Sequence, residues 1–203
     1  MVTNIPELLQ FANGAGVNIM IPNIDGTVRQ IPLFVNTDIG TLPNQVLDTL
    51  RIINKSSRYK IVANPKGIQT VFVSKKKSFD TDKNGMFNIN FADVKTIKTY
   101  SVSDLISNQI NLKNKIVIVG LNSAGLSYLK DTPLGLMTDA QISAQAIETA
   151  LTETQLIRNG NTNLIEIVAV FVLGFLLIVI VPRLGITSTV LLYLTLLTGM
   201  ILA

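Results

Sequence analysis

Residues 164–203 of this chain carry only two charges, Glu166 and Arg183. The preceding 163 residues carry the other 28 of 30, as 16 basic and 12 acidic side chains. A chain so divided cannot fold as one uniform water-facing body. Ile167 to Val181 has no charge, and with Leu164 and Ile165 the apolar zone spans 18 residues. A helix needs roughly 20 apolar residues to cross about 30 Å of hydrocarbon. Residues 164–182 therefore read as a first transmembrane helix, with Glu166 near an interface where its carboxylate stays hydrated. Pro182-Arg183 interrupts the run, and 184–203 reads as a second helix of 20 uncharged residues. With so short a link the two form a hairpin. Soluble cores rarely contain two adjacent segments of this kind. Arg183 at the tip places that tip in the cytoplasm by the positive-inside bias, leaving residues 1–163 outside it.

The charged part is long enough for one compact domain. Its centre is Lys115 to Leu151. Ile116 to Val119 is a short apolar run of the kind that forms a strand buried on both faces. Gly120 permits a sharp turn, and a loop with Asn122, Ser123, Gly125, Asp131, Pro133 and Gly135 follows. Ala140 to Leu151 has apolar residues at helical spacing, with Asp139 able to cap it. Upstream, Pro6 to Ala12 reads as a short helix. Val17 to Ile21 and Val28 to Val35 read as strands joined at Asp25-Gly26, with Pro32 demanding an edge or bulge. Leu42 to Ile53 reads as a helix with Pro43 in its first turn. Tyr59 to Ala63 and Ile68 to Val73 form a hairpin around Asn64-Pro65-Lys66-Gly67. Met86 to Phe91 and Ile97 to Val102 are strand-like, and Ser103 to Ser107 is a helical turn. The predicted fold class is α/β: a mixed sheet flanked by helices over residues 1–160, then the transmembrane hairpin. Asn159 to Asn163 is a polar break between them.

The chain has no cysteine and no histidine. Disulfides, thiolate metal sites and histidine-based catalysis are therefore excluded. The net charge of +4 is dispersed. Lys75 to Lys77 is its one basic cluster, and no aromatic or arginine pattern accompanies it, so nucleic acid is not a predicted partner. Gly120 to Ser127 imitates a phosphate loop, but Leu126 stands where lysine is needed and Asp131-Thr132-Pro133 replaces the helix. Asp80, Asp82 and Asn84, with Gly85, copy the first half of a calcium loop. The closing glutamate is replaced by Phe91, and the following residues alternate like a strand, so a hairpin turn is the better reading and calcium a weak alternative. Asp25, Arg29 and Asp131 lie in turns beside apolar strands, as a structural ion pair or a ligand site. Asn122 and Ser123 join them as candidate ligand contacts. No cofactor is called for, and no carboxylate pair has a spacing that implies acid–base catalysis.

IDGTVRQIPLF (Ile24 to Phe34), NGMFNINF (Asn84 to Phe91) and the sequence KIVIVG…DTPLG…AQAIETAL resemble the CHASE domain of the second type. The most specific element is the last: a strand ending in valine-glycine, D-x-P-L-G, then an alanine-rich helix. The resemblance implies an extracytoplasmic sensory module of a bacterial receptor. Such modules follow a membrane anchor and precede membrane helices, usually three. A cytoplasmic output domain ends the protein: an adenylate or guanylate cyclase, a histidine kinase or a serine/threonine kinase. On this basis the chain is expected to be a piece of a longer protein, lacking the front of the sensor and the output. The fragment itself is then no enzyme. Its implied partners are a membrane, an extracytoplasmic ligand or protein, and a second copy of itself. The alternatives carried beside this are a structural or dimerisation domain of a membrane protein and an extracytoplasmic enzyme.

Overall fold

The computed structural model describes residues 5–38, 40–65, 67–91, 97–107, 110–122, 128–156, 162–183 and 185. It divides into two compact units, Met1–Ile157 and Arg158–Ala203. The first is a mixed α/β body whose strands form small antiparallel sheets rather than one mixed sheet. Its elements are α1 (Pro6–Leu9), β1 (Gln30–Pro32), β2 (Phe34–Thr37), β3 (Gly40–Pro43), α2 (Gln45–Ile53), β4 (Lys60–Asn64), β5 (Gly67–Phe72), β6 (Ser78–Asp80), β7 (Met86–Asn88), α3 (Val102–Ser107), β8 (Lys130–Thr132), β9 (Gly135–Met137) and α4 (Asp139–Thr152).

The predicted hairpin around Asn64–Gly67 forms as β4–β5, and β6 extends it to three strands. The Asp25-Gly26 turn also forms, with Gly26 at φ 81°. The strands expected on either side of it do not pair with each other. Residues 17–21 contribute one bridge, Val17 to Asn44, while β1 pairs with β7 and β2 with β3. Pro32 sits opposite Met86 in a two-stranded ladder, where a strand always has a free edge and the missing N–H costs no ladder bond. The helix expected from Leu42 begins at Gln45 instead. Asn44 is its N-cap, its Oδ1 accepting from Val46 N at 3.0 Å, and Leu42 and Pro43 belong to β3.

Three further corrections bear on the site. Ile97 to Val102 is not a strand: Val102 opens α3, and Ser101 rather than Ser103 caps that helix. Ile116 to Val119 forms no strand and is not buried: Ile116, Val117 and Val119 are 46, 49 and 87 % exposed, and only Ile118 packs on the core. An apolar run wants cover, but a central strand also needs flanking strands, and the described strands pair only with one another. Finally α4 is capped by Thr138, whose hydroxyl accepts from Gln141 N while Gln141 Oε1 accepts from Thr138 N. This capping box makes Asp139 the first helical residue. At its other end α4 stops at Glu153, which takes a left-handed φ of 58°.

The core lies where α2 and α4 meet the sheets. Val46, Leu47 and Leu50 from α2 and Ile142, Ala146, Ile147 and Ala150 from α4 close over Ile31, Val71, Phe79 and Phe87. Each fully buried large side chain of this kind stabilises by about 1.5–3 kcal/mol. Phe79 and Phe87 meet edge-to-face at 5.7 Å. Thr149 fastens α4 to the chain after β7, its hydroxyl accepting from Asn90 N at 3.1 Å.

The second unit contains α5 (Thr162–Ile180) and a 3₁₀ turn, Val181–Arg183. Among the described residues, no helix is long and apolar enough to cross a membrane. Apart from Gly185, the expected second apolar helix lies outside the described residues.

Candidate functional site

Gly120 determines how the segment after Ile116 meets α4. A Cβ on Gly120 would lie 2.4 Å from the Cβ of Ala140, so only glycine allows the chain to pass this close to the first turn of the helix. Beside this contact lies a recess of about 230 Å³. Ile118, Val119 and Leu121 give it an apolar wall, Ala140 and Ser143 line it from α4, and Asn18, Gln45, Tyr128 and Asp139 bring polar groups. Asp139 Oδ1 is paired with Lys130 Nζ at 2.7 Å. Ser143 is only 2 % exposed, and its hydroxyl has no hydrogen-bond partner among the described residues. A buried hydroxyl left unpaired costs about 1–3 kcal/mol, so its presence here calls for an explanation.

A second polar cluster ties the N-terminal loop to α2. Asp48, 5 % exposed, accepts from Arg51 Nε at 2.6 Å and from the Tyr59 hydroxyl on the same oxygen. Arg51 continues to the carbonyls of Asn13 and Ser56. Gly14 crosses so close above that an added Cβ would overlap Asp48 Oδ2. Hydrogen bonding to Asp48 pushes the Arg51 guanidinium above its ordinary pKa, and burial followed by the Asp48 contact pushes the Tyr59 phenol up. Tyr59 therefore stays neutral in the folded chain at a pH where the unfolded chain ionises. Its contribution to stability is complete below about pH 10 and is lost as pH rises beyond it. Stability measured by denaturant titration should fall more steeply above pH 10 in the natural chain than in Tyr59→Phe. Equal slopes would contradict this account.

A third group of contacts lies where α4 ends. Lys77 Nζ meets Glu153 Oε1 at 2.8 Å, the Gln155 amide donates to the Asp80 carbonyl, and Asn88 Nδ2 donates to the Leu156 carbonyl at 2.9 Å. Residues 153–156 are thus strapped across the β5–β6 turn, β6 and β7.

The residues singled out from sequence fall elsewhere. Arg29 and Asp25 pair at 2.6 Å on an exposed loop. Thr27 N donates to Asp25 Oδ1, and this bond followed by the Arg29 contact holds the Asp25 carboxyl below its usual range. The Asp131 carbonyl accepts from Val28 N at 2.8 Å, which brings that loop beside β8, while the Asp131 side chain is exposed. None of the three lines the recess. Asn122 is exposed beside Leu121, and Ser123 lies outside the described residues. Asp82 Oδ1 accepts from Asn84 N and Met86 N at 2.8 and 2.9 Å, and Asp80 Oδ1 accepts from Thr70. These bonds make Asp82 to Gly85 a tight turn leading into β7.

A family model described as the CHASE2 domain matches residues 3–181. The chain belongs to the CHASE2 family. No curated protein and no solved structure matches it. CHASE2 domains are extracellular sensory domains of signalling proteins, not catalytic ones. In this CHASE2 domain, sequence reasoning missed the recess, the Asp48 cluster and the strap. The recess is assembled from five separate places in the chain. A signal for the second was present: Asp48 and Arg51 stand three apart on a helix, at neighbouring positions.

Proposed function

We propose that this chain is the sensory input module of a bacterial membrane receptor, facing outside the cytoplasm. It passes its signal through a transmembrane helical hairpin, residues 164–182 and 184–203, to a cytoplasmic cyclase or protein kinase domain. Residues 1–160 are the sensor, and a second copy of the chain, an extracytoplasmic ligand and the bilayer are its partners. The observation that carries this reading is the CHASE2 match together with the strap. The match supplies the class of function. Residues 153–156 are the last described residues before α5, and contacts from three parts of the sheet region hold them. A change in the sensor that alters those contacts alters where the chain leaves the domain. The break at Glu153 makes this a pinned tether rather than a rotating continuous helix.

The apolar side chains of α5 that the structure describes are exposed, which supports a lipid surrounding for them. The absence of cysteine permits a direct test of topology. Single cysteines at Tyr128 and Arg183 in intact cells should react with a membrane-impermeant thiol reagent at the first position and not at the second. Reaction at Arg183 alone would reverse the assignment. For signalling, Lys77→Ala, Asn88→Ala and Gln155→Ala combined in the full-length receptor should change basal output several-fold, because a two-state balance shifts with any change in contacts made in only one of its states. Unchanged output in a normally folded, membrane-inserted variant would overturn the tether mechanism.

A further inference from the structure

We infer that the recess beside Gly120 binds a small amphiphilic amine, a molecule of amino-acid size with an ammonium or amide N–H at one end and an aliphatic body. The inference rests on the sensory reading only for its purpose, not for its chemistry. Three observations carry it. The recess holds about 230 Å³, below the usual range of roughly 300–1,000 Å³ for drug-sized ligands but several times the volume of a water molecule. Its wall of Ile118, Val119 and Leu121 matches an aliphatic group. Among the described residues its one formally charged lining residue is Asp139, and Lys130 engages that carboxylate through Oδ1, which leaves Oδ2 as an acceptor for a cationic N–H.

The unpaired Ser143 hydroxyl is the independent sign that the site is incomplete. α4 has alternatives at this position that bury no polar atom, and neighbouring Ala146 shows that the helix accepts alanine in its core. A group entering the recess far enough to reach Ser143 completes its hydrogen bonding. The Asn18 and Gln45 amides then serve the polar end at the rim.

The test uses the whole chain in detergent micelles, with leucinamide as probe and N-acetyl-leucine, an anion of similar bulk, as its charge-reversed control. Nuclear magnetic resonance titration should show saturable binding of leucinamide, with shifts centred on residues 118–121 and 139–143, and weaker or no binding of N-acetyl-leucine. Ser143→Ala should lower leucinamide affinity about tenfold while leaving the melting temperature equal or higher, since it removes a buried unpaired hydroxyl. A purely structural serine would show the reverse pattern. Asp139→Asn keeps the Thr138–Gln141 capping box and should also weaken leucinamide about tenfold, without improving binding of the anion to match. No saturable binding of leucinamide, equal binding of the two probes, or unchanged affinity in both variants would each overturn the proposal. Because the readout is binding, the site stands or falls separately from any receptor output.

Discussion

Asp48→Ala is expected to cost about 3–5 kcal/mol of stability, the penalty typical of removing one partner from a buried ion pair. Denaturant unfolding followed by circular dichroism would measure it, and a loss below about 1 kcal/mol would contradict the structural role assigned here. The reason for so large an effect is what remains behind. The Arg51 side chain is 17 % exposed and would keep only the carbonyls of Asn13 and Ser56, which accept hydrogen bonds but do not neutralise charge. The Tyr59 hydroxyl would lose its acceptor while its ring stays packed edge-on to Phe34 at 5.6 Å. Asp48→Asn retains an acceptor oxygen and should fall between the natural chain and alanine. The effect should also reach the N-terminal loop, because Arg51 holds it through Asn13 and Gly14 rests against Asp48.

Local turn and helix chemistry was legible in the sequence because its causes lie within a few residues. Asn64-Pro65-Lys66-Gly67 specified a hairpin, and the alanine-rich spacing after Thr138 specified α4. The capping residue lies one position before the one its chemistry suggests: Asp139 could serve as a cap, but Thr138 and Gln141 together satisfy two backbone donors where Asp139 alone satisfies fewer. The β8–β9 hairpin escaped notice because Lys130 to Met137 has neither alternation nor an asparagine-glycine turn; it closes through the Thr132 hydroxyl on the Gly135 carbonyl at 2.6 Å and a φ of 100° at Gly135. Ile116 to Val119 departs from its expected strand for the opposite reason: its hydrophobicity matches a buried strand, but the described strands pair only with one another. The recess was illegible because nothing local to Asn18, Gln45, Gly120 or Ser143 indicates that they converge. What did transfer from sequence to function was the family signature, which needs no knowledge of the site.

Gly67→Ala should be among the most damaging single changes in the chain, at about 3 kcal/mol, with a melting temperature lowered accordingly. Gly67 has a φ of 132°, which side-chain-bearing residues rarely adopt, and an added Cβ would sit 2.1 Å from the carbonyl oxygen of Lys83. That oxygen already accepts from Ile68 N at 3.3 Å, so the two backbones cannot separate without breaking the contact that seats the Asp82–Gly85 turn on the β4–β5 hairpin. The consequence extends to the calcium-like motif. Its Asp82 carboxylate is held by Asn84 N and Met86 N, and its Lys83 carbonyl faces Gly67 rather than a central ion position. Asp82→Ala should therefore destabilise the chain by about 1–2 kcal/mol with or without calcium present, because what it removes are hydrogen bonds to backbone N–H groups. A loss that appears only when calcium is present would return the motif to the role its spacing first suggested. A Gly67→Ala chain that unfolds at the same denaturant concentration as the natural one would mean that the turn and the hairpin are not packed together as described, and the strap that reaches Asp80 from Gln155 would lose its fixed anchor with them.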